Sequence, residues 1–231
     1  MTSYCGAPPL PYDWFERWNF DPALLVALTA AAAVAMRSRH PRLGLATVGV
    51  LAVAFVSPLC ALTVALFSAR AVHHVLLVAV AAPLAALALP SRGSHYLGLA
   101  FVASTATLWA WHLPALYDRA LGDTAIYWLM QLSLLGSAIW FWRSLFASPP
   151  VTASMVAIFA MAQMGMLGAL LTFSRVPLYA SHAASTLPWG LEQVADQQLA
   201  GLVMWVPGVI PYALATALIA RRVWVRAAGT A

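Results

Sequence analysis

The sequence predicts an all-α membrane protein: a bundle of seven transmembrane helices with its N-terminus outside and its C-terminus in the cytoplasm. Of the 231 residues, 63% are hydrophobic and 8% are charged, and the mean hydropathy is +0.83. Soluble domains carry about 25% charged residues. The net charge of +5 comes from arginines set among apolar segments. This distribution favours a polytopic membrane protein and argues against binding to nucleic acid.

Seven apolar segments approach the length of about 20 residues that one helical crossing requires. The stretch 58–67 follows Ser57-Pro58, and because proline disfavours continuation of a helix, we expect a short re-entrant or interfacial piece there. Residues 1–21 have no apolar signal-peptide core and are expected to be a retained extracytoplasmic tail. The transmembrane domain then covers 22–221 and a cytoplasmic tail 222–231. The predicted spans are 22–38, 43–60, 68–89, 95–113, 124–146, 151–173 and 196–220.

The distribution of arginine predicts the orientation, because short cytoplasmic loops collect positive charge. With the N-terminus outside, eight arginines fall on the inner side and four on the outer side. All seven acidic residues then fall outside, which is consistent with that choice. The inner arginines are Arg37, Arg39, Arg42, Arg92, Arg143, Arg221, Arg222 and Arg226.

Polar residues of four predicted helices share one depth near the outer face. The third helix carries two adjacent histidines about 8–9 Å below its outer end, at 1.5 Å per residue. The fourth closes with a histidine before Pro114, the fifth has a glutamine two turns in, and the seventh opens with Asp-Gln. Ionisable residues within a membrane bundle are candidate functional residues. The members of this cluster are His73, His74, His112, Gln131, Asp196 and Gln197.

The geometry of a helix limits how the third helix can act. Neighbouring residues point about 100° apart, so His73 and His74 do not readily bind one small ion together, whereas Arg70 and His74 share a face. We expect His74 to face the site and His73 to face an adjoining helix. Arg70 either neutralises Asp196 or an anionic partner, or extends to the outer headgroups.

Methionines add soft donors to this depth. Met161 and Met164 share one face of the sixth helix, where Gly165 and Gly168 would allow a close helix approach, and Met204 lies two turns below Asp196. Imidazole and thioether together suit copper(I). Alternatively, the methionines only pack and the polar residues are interhelical hydrogen-bond partners. The hypothetical metal site comprises His74, His112, His73, Met164, Met204 and Asp196.

The remaining reactive residues give weaker signals. Cys5 and Cys60 both fall outside, where a disulfide is permitted, but they could equally be two thiol ligands. His182 lies in the outer loop before the seventh helix and is expected to be solvent-exposed, whereas His40 and His95 are expected in inner loops. No GxSxG, HExxH or Walker motif occurs, so the residues predict no enzymatic activity.

Four motifs resemble one known family, in order along the chain: FSARAVHHVLLVAVAAPL, WAWHLPALYDRAL, MLGALLTFSRVPLY and DQQLAGLVMWVPG. With FDP at 20–22 and SPL at 57–59, nearly the whole chain resembles the CtaG family of cytochrome c oxidase assembly proteins. His74, His112, Asp196 and Gln197 match its motifs directly. Family members commonly have histidine where Arg70 and Gln131 stand, and glutamine at the position of His73.

The resemblance implies a non-catalytic role in maturing haem-copper oxidases, especially their copper centres. We therefore expect an inner-membrane protein of a bacterium that handles copper(I) at its outer face for insertion into the oxidase. Its expected partners are oxidase subunits, membrane lipid and a second copper chaperone. One alternative is a non-catalytic accessory subunit or scaffold of the oxidase. A second alternative, b-type haem between His74 and His112, is less favoured because both histidines lie close to the outer surface.

Overall fold

The computed structural model describes residues 3–89 and 96–228, and the regular elements of this part are helices. Arg92 and His95, which carry predictions from the sequence, lie outside the described residues. The helices are α1 (Pro22–Met36), α2 (Pro41–Phe55), α3 (Leu59–Ala65), α4 (Phe67–Val75), α5 (Ala82–Ala88), α6 (Leu97–Trp111), α7 (Pro114–Gly122), α8 (Thr124–Ala147), α9 (Pro150–Phe173), α10 (Gln193–Trp205) and α11 (Ile210–Ala228).

Four helical stretches of the described chain are long and apolar enough to cross a membrane: Phe67–Ala88, α8, α9 and Gln193–Arg221. Two bent pairs, α2 with α3 and α6 with α7, raise the number to six if each pair is one span. The apolar helix α1 has 15 residues and is shorter than these spans. The all-helical membrane fold is therefore confirmed with four to six candidate spans, while the count of seven and the orientation stay predictions.

Proline residues mark both bends. α3 is the short piece predicted after Ser57-Pro58, and it turns 43° away from α2. α7 lies outside the predicted spans and turns 74° away from α6. Pro114 occupies the first position of α7, where a helix needs no N–H donor. The same proline that ends one helix therefore starts the next.

The span from α4 to α5 is widened by a π-helical segment, Leu76–Ala81. Its hydrogen bonds run five residues back, as from the Ala82 amide to the Leu77 carbonyl. The next residue is Pro83, which has no N–H, so the Val78 carbonyl lacks a main-chain donor in this register. The indole of the buried Trp142 on α8 donates to that carbonyl at 2.8 Å. This bond satisfies the carbonyl and ties the centre of the bundle to α8.

One end of the bundle, here called the acidic end, consists of residues 3–21, α3, α7 and the loop 174–192. Cys5 and Cys60 form a disulfide there, so the alternative of two thiol ligands is wrong for this structure. Tyr4 donates to Asp21 at 2.7 Å, which holds the tail against the start of α1. Asp118 on α7 accepts from the loop amides of residues 180 and 181. The tail and the loop thus close over this end.

Helices α9 and α10 approach each other through glycines. A Cβ atom on Gly168 would lie 2.7 Å from the carbonyl oxygen of Gly201, and one on Gly201 would lie 2.6 Å from the amide nitrogen of Thr172. Either contact would force the backbones apart. The prediction that Gly168 allows a close approach is confirmed, whereas a Cβ on Gly165 would make only ordinary contact with Trp205.

We predict that Trp142→Phe lowers the free energy of unfolding by about 1–2 kcal/mol, because it leaves the buried Val78 carbonyl without a donor. The measurement is thermal unfolding of the purified protein in detergent. Trp224→Phe is the matched control, since Trp224 is exposed. Equal effects of the two substitutions would contradict a specific role for the indole bond.

Candidate functional site

His74 on α4 and His112 at the end of α6 lie side by side, with their ring centroids 5.6 Å apart. The Nδ1 atom of His112 is 2.7 Å from the Leu108 carbonyl and therefore carries the hydrogen, which leaves Nε2 with a lone pair. Neither nitrogen of His74 has a hydrogen-bond partner among the described residues. Both imidazoles can thus present a nitrogen to a shared ligand.

His73 faces an adjoining helix, as its position in α4 predicts, although its ring centroid lies 6.0 Å from that of His74. Its ring meets Phe55 of α2 edge to face, at a centroid distance of 4.8 Å. Gln131 is also buried, and neither of its amide atoms makes a well-formed hydrogen bond within the described residues. His73 therefore contacts His74 but has no ring contact with His112 among the described residues.

Asp196 caps the start of α4 from the neighbouring helix. Leu66 is extended (φ −125°, ψ 130°) and separates α3 from α4, so the first amides of α4 have no partner within their own helix. The carboxylate of Asp196 accepts from the amides of Phe67 (2.6 Å) and Ser68 (3.2 Å) and from the Ser68 hydroxyl. Both carboxylate oxygens are therefore engaged in positioning α4.

The two glutamines after Asp196 hold the loop 174–192. Gln197 accepts from the Leu178 amide at 2.8 Å and donates to the Val176 carbonyl at 3.3 Å. Gln198 donates to the Ser174 carbonyl at 3.1 Å. Gln197 thus makes loop contacts, and the structure does not place it with the histidine pair.

His182 is buried, so the prediction that it is solvent-exposed is wrong. The break at Leu66 leaves the Ala65 carbonyl free, and His182 Nδ1 (3.4 Å) and the Ser185 hydroxyl (2.7 Å) both approach it. The Tyr117 hydroxyl lies 2.7 Å from His182 Nε2 and donates to it, because Nδ1 carries the hydrogen. The loop folds inward because these partners lie beneath it.

An aromatic group surrounds the histidine pair on its acidic-end side. Phe67 packs against Tyr179 with centroids 4.2 Å apart and ring planes tilted by 33°, and it meets Tyr117 at 5.3 Å and His112 at 6.5 Å. Tyr179 also donates to the His112 carbonyl at 3.0 Å. This group covers His112 and fixes the position of its backbone.

Arg70 lies fully buried one turn before His74. It donates to the Thr63 carbonyl at 3.4 Å, and its guanidinium lies 5.4 Å from the centroid of the Tyr127 ring. No ion pair joins it to Asp196 or to any other described carboxylate. Contact with headgroups and neutralisation of Asp196 are therefore not what this structure shows, while neutralisation of an anionic partner stays a prediction. Arg70 instead places an uncompensated positive charge beside the histidines.

Met164 and Met204 are buried in the core, whereas Met161 is half-buried. The Cγ atom of Met164 lies 3.6 Å from the Cβ position of Gly208, which also neighbours Val75. Among the described residues, no three His, Cys, Asp or Glu side chains are placed to hold a metal ion together. Of the six residues in the hypothetical metal site, three are histidines in ring contact: His74 lies 5.6 Å from His112 and 6.0 Å from His73, measured between ring centroids.

Sequence reasoning missed Ser68, Tyr117 and Tyr179 as members of this region. All three lie within motifs that carry the family resemblance: FSARAVHH, WHLPALYD and TFSRVPLY. Their polar atoms bond to Asp196, His182 and His112, which come from other segments of the chain. The signal that could have found them is a polar side chain inside a specific motif.

Comparison with known proteins identifies one family. The family model described as cytochrome c oxidase caa3 assembly factor (Caa3_CtaG) matches residues 98–227. This range is more than half of the chain and includes His112, Gln131, Asp196 and Gln197. No curated protein and no solved structure gives a significant match.

We predict that Asp196→Asn destabilises the protein by about 1.5–3 kcal/mol, because hydrogen bonds to a charged acceptor contribute about that much each and the caps of α4 weaken. Glu192→Gln is the matched control, because it removes one negative charge from the same end of α10 at an exposed residue. Thermal unfolding of both variants in detergent is the measurement. An equally large loss of stability in Glu192→Gln would show that net charge, and not the cap of α4, is responsible.

We predict that His182 makes stability dependent on pH between about 4 and 6.5. Burial, and then the charge of Arg70, lower the pKa of His182 from 6.5 to about 4. The unfolded chain therefore binds the proton first, so the stabilisation is complete above pH 6.5 and is lost as the pH falls towards 4, by up to about 3 kcal/mol. Unfolding is followed at several pH values, and His182→Gln is expected to flatten this part of the profile. An unchanged slope in His182→Gln, with exposed His40→Gln as the control, would contradict the assignment.

Proposed function

Because this chain belongs to the cytochrome c oxidase caa3 assembly factor family, we propose that it holds copper(I) between His74 and His112 and passes it to a copper centre of the oxidase. The ion is cargo, and the protein itself catalyses no reaction. The proposal places the acidic end on the outer side of a bacterial inner membrane, in agreement with the positive-inside rule.

The observation that carries this proposal is the pair of free imidazole nitrogens. Two imidazoles that share one ion, with bonds of about 2.0 Å, have ring centroids about 6 Å apart, and the rings of His74 and His112 are 5.6 Å apart. The bond from His112 Nδ1 to the Leu108 carbonyl is the second contact that metal-binding histidines usually make, since it fixes the ring and its tautomer. His74 is the more deeply buried of the two and has no competing partner.

The charge of the site favours a monovalent ion. Arg70 lies one turn from His74 and has no described counter-ion, so a bound cation is repelled. Coulomb repulsion scales with the charge of the ion and is half as large for copper(I) as for a divalent ion. A site with two neutral donors and a nearby cation therefore suits a soft, singly charged ion that is held only until transfer.

Met204 is the first soft partner that we propose. Since Asp196 binds the first amides of α4, helices α4 and α10 begin at the same depth and run in the same direction. His74 follows Phe67 by seven residues and Met204 follows Asp196 by eight, so both lie about 10–12 Å further in. Met164, on α9, is a further buried thioether of the core. We propose these methionines as secondary donors.

A scaffold function is the second candidate. Asp196 and Gln197, two residues that match the family motifs, are fully used in contacts that hold α4 and the loop. A protein that only supports the oxidase during assembly needs such contacts and no metal. Stoichiometric co-purification with the oxidase, without bound copper, would favour this function over transient ion handling.

We predict that the purified protein binds about one copper(I) per chain and that the double variant His74→Ala, His112→Ala binds none. The measurement is anaerobic competition with a chromophoric copper(I) chelator. His40→Ala is the control, because it removes an exposed histidine at the other end of the bundle. Each single variant is expected to lower affinity by at least about tenfold, because one of two donors is lost.

Two results would overturn ion handling. The first is unchanged copper binding in the double variant. The second is full oxidase activity of cells that carry this variant under copper limitation. Arg70→Gln gives an independent check, because removal of the nearby charge is expected to raise copper(I) affinity. A visible spectrum of the same samples tests the haem alternative, since bis-histidine haem gives intense Soret and α bands.

A further inference from the structure

A basic cavity opens at the end of the bundle opposite the acidic end. It has a volume of about 560 Å³ and lies between the α1–α2 turn, the last turn of α5 and the last turn of α8. Arg37 and Arg39 line it from the turn, and Arg143 lines it from α8. Three cations from two separate segments thus meet around one space.

None of the seven aspartate and glutamate side chains lies at this end of the bundle. The seven acidic residues of the chain lie in the tail, in α7 or at the N-terminal ends of α1, α8 and α10, all of which are at the acidic end. The cavity is also lined by Ser38, whose buried hydroxyl has no hydrogen-bond partner among the described residues. Arginine guanidinium groups are donors that match the oxygens of a phosphate.

An apolar groove continues from the basic cavity into the membrane-spanning part of the bundle. It has a volume of about 480 Å³ and lies between α5, α8 and α11, and Leu87 and Phe146 line both spaces. Along one wall it reaches from Leu87 to Ala79, eight residues or about 12 Å at helical rise. This length is close to the half-thickness of about 15 Å of a bilayer core.

We propose that these two spaces form one binding site for an anionic glycerophospholipid. The phosphate binds Arg37, Arg39 and Arg143 in the basic cavity, and an acyl chain lies in the groove against Leu87, Phe146 and Leu214. The site selects the lipid by its headgroup charge, because every residue along the groove is apolar except Trp142, whose indole nitrogen is bonded to Val78. Basic pockets between helices on the cytoplasmic side recognise anionic headgroups in this way.

The site does not depend on the proposed function, because its residues are separate from the histidine pair. A bound lipid would link the α1–α2 turn to α5 and α8 at the end of the bundle that has no disulfide. It also agrees with the predicted orientation, in which this end faces the cytoplasm.

Native mass spectrometry of the delipidated protein in detergent tests the proposal. The probes are phosphatidylglycerol and phosphatidylcholine with identical acyl chains, and inorganic phosphate. Each arginine near an anionic headgroup contributes about a fivefold gain in affinity, so we expect phosphatidylglycerol to bind about 10- to 100-fold more tightly than phosphatidylcholine. The triple variant R37Q/R39Q/R143Q is expected to bind both lipids equally.

The matched control is R119Q/R175Q/R221Q, which removes three charges from exposed arginines that do not line the cavity. This control is expected to retain the preference for phosphatidylglycerol over phosphatidylcholine. If the first triple variant does not fold, R37Q/R39Q alters only two exposed side chains and is expected to reduce the preference by at least about fivefold. Leu214→Trp fills the groove and is expected to weaken the binding of both lipids.

Three outcomes would overturn the proposal. Equal binding of the two lipids to the wild-type protein would show that charge is not recognised. An equal loss of preference in the control triple variant would show that only net charge matters. Binding of inorganic phosphate strong enough to displace phosphatidylglycerol, with no effect of Leu214→Trp, would show that the ligand is free phosphate and not a lipid.

Discussion

The bond between the Asp196 carboxylate and the first turn of α4 is the contact on which the arrangement of the acidic end depends. The chain breaks at Leu66, so α4 begins inside the protein with amides that water does not reach. A buried amide without an acceptor costs free energy, and a carboxylate at a helix N-terminus is stabilised by the helix dipole. The Asp196 carboxylate accepts hydrogen bonds from these amides and also interacts favourably with the dipole of α4. Both interactions fix α10 to α4. The depths of His74 and Met204 relative to each other follow from this one contact.

The same break also organises the loop above it. The Ala65 carbonyl, left free by the extended residue, draws in His182 and Ser185, and Tyr117 completes the bond to His182. The glutamines that follow Asp196 bind the other part of the loop. Residues of one short motif therefore hold a helix on one side and a loop on the other. The aromatic cover of His112 results from these contacts.

The sequence could predict the histidine pair, because the depth of each histidine follows from its position along its own helix. Neighbouring residues of a helix point in different directions, so His73 and His74 face different neighbours. Pro114 ends α6 just after His112. The partners of Asp196 and His182 could not be found in this way. Arg70 was a natural candidate for Asp196 because both are charged and share a depth, but the amides of Phe67 and Ser68 are the actual donors. Uncapped main-chain groups leave no signal in composition, because any residue type supplies an amide.

The sequence by itself determined the all-helical membrane fold, the limits of most helices and the separation of acidic and arginine-rich ends. These features follow from apolar length, proline positions and charge, which are local properties of the chain. The tertiary structure alone decided which polar groups meet, that Cys5 and Cys60 are bridged, that α7 is a helix, and that a groove joins a basic cavity. Each of these depends on contacts between segments distant along the chain. Such contacts are set by packing and by the pairing of buried polar groups, which no single segment specifies.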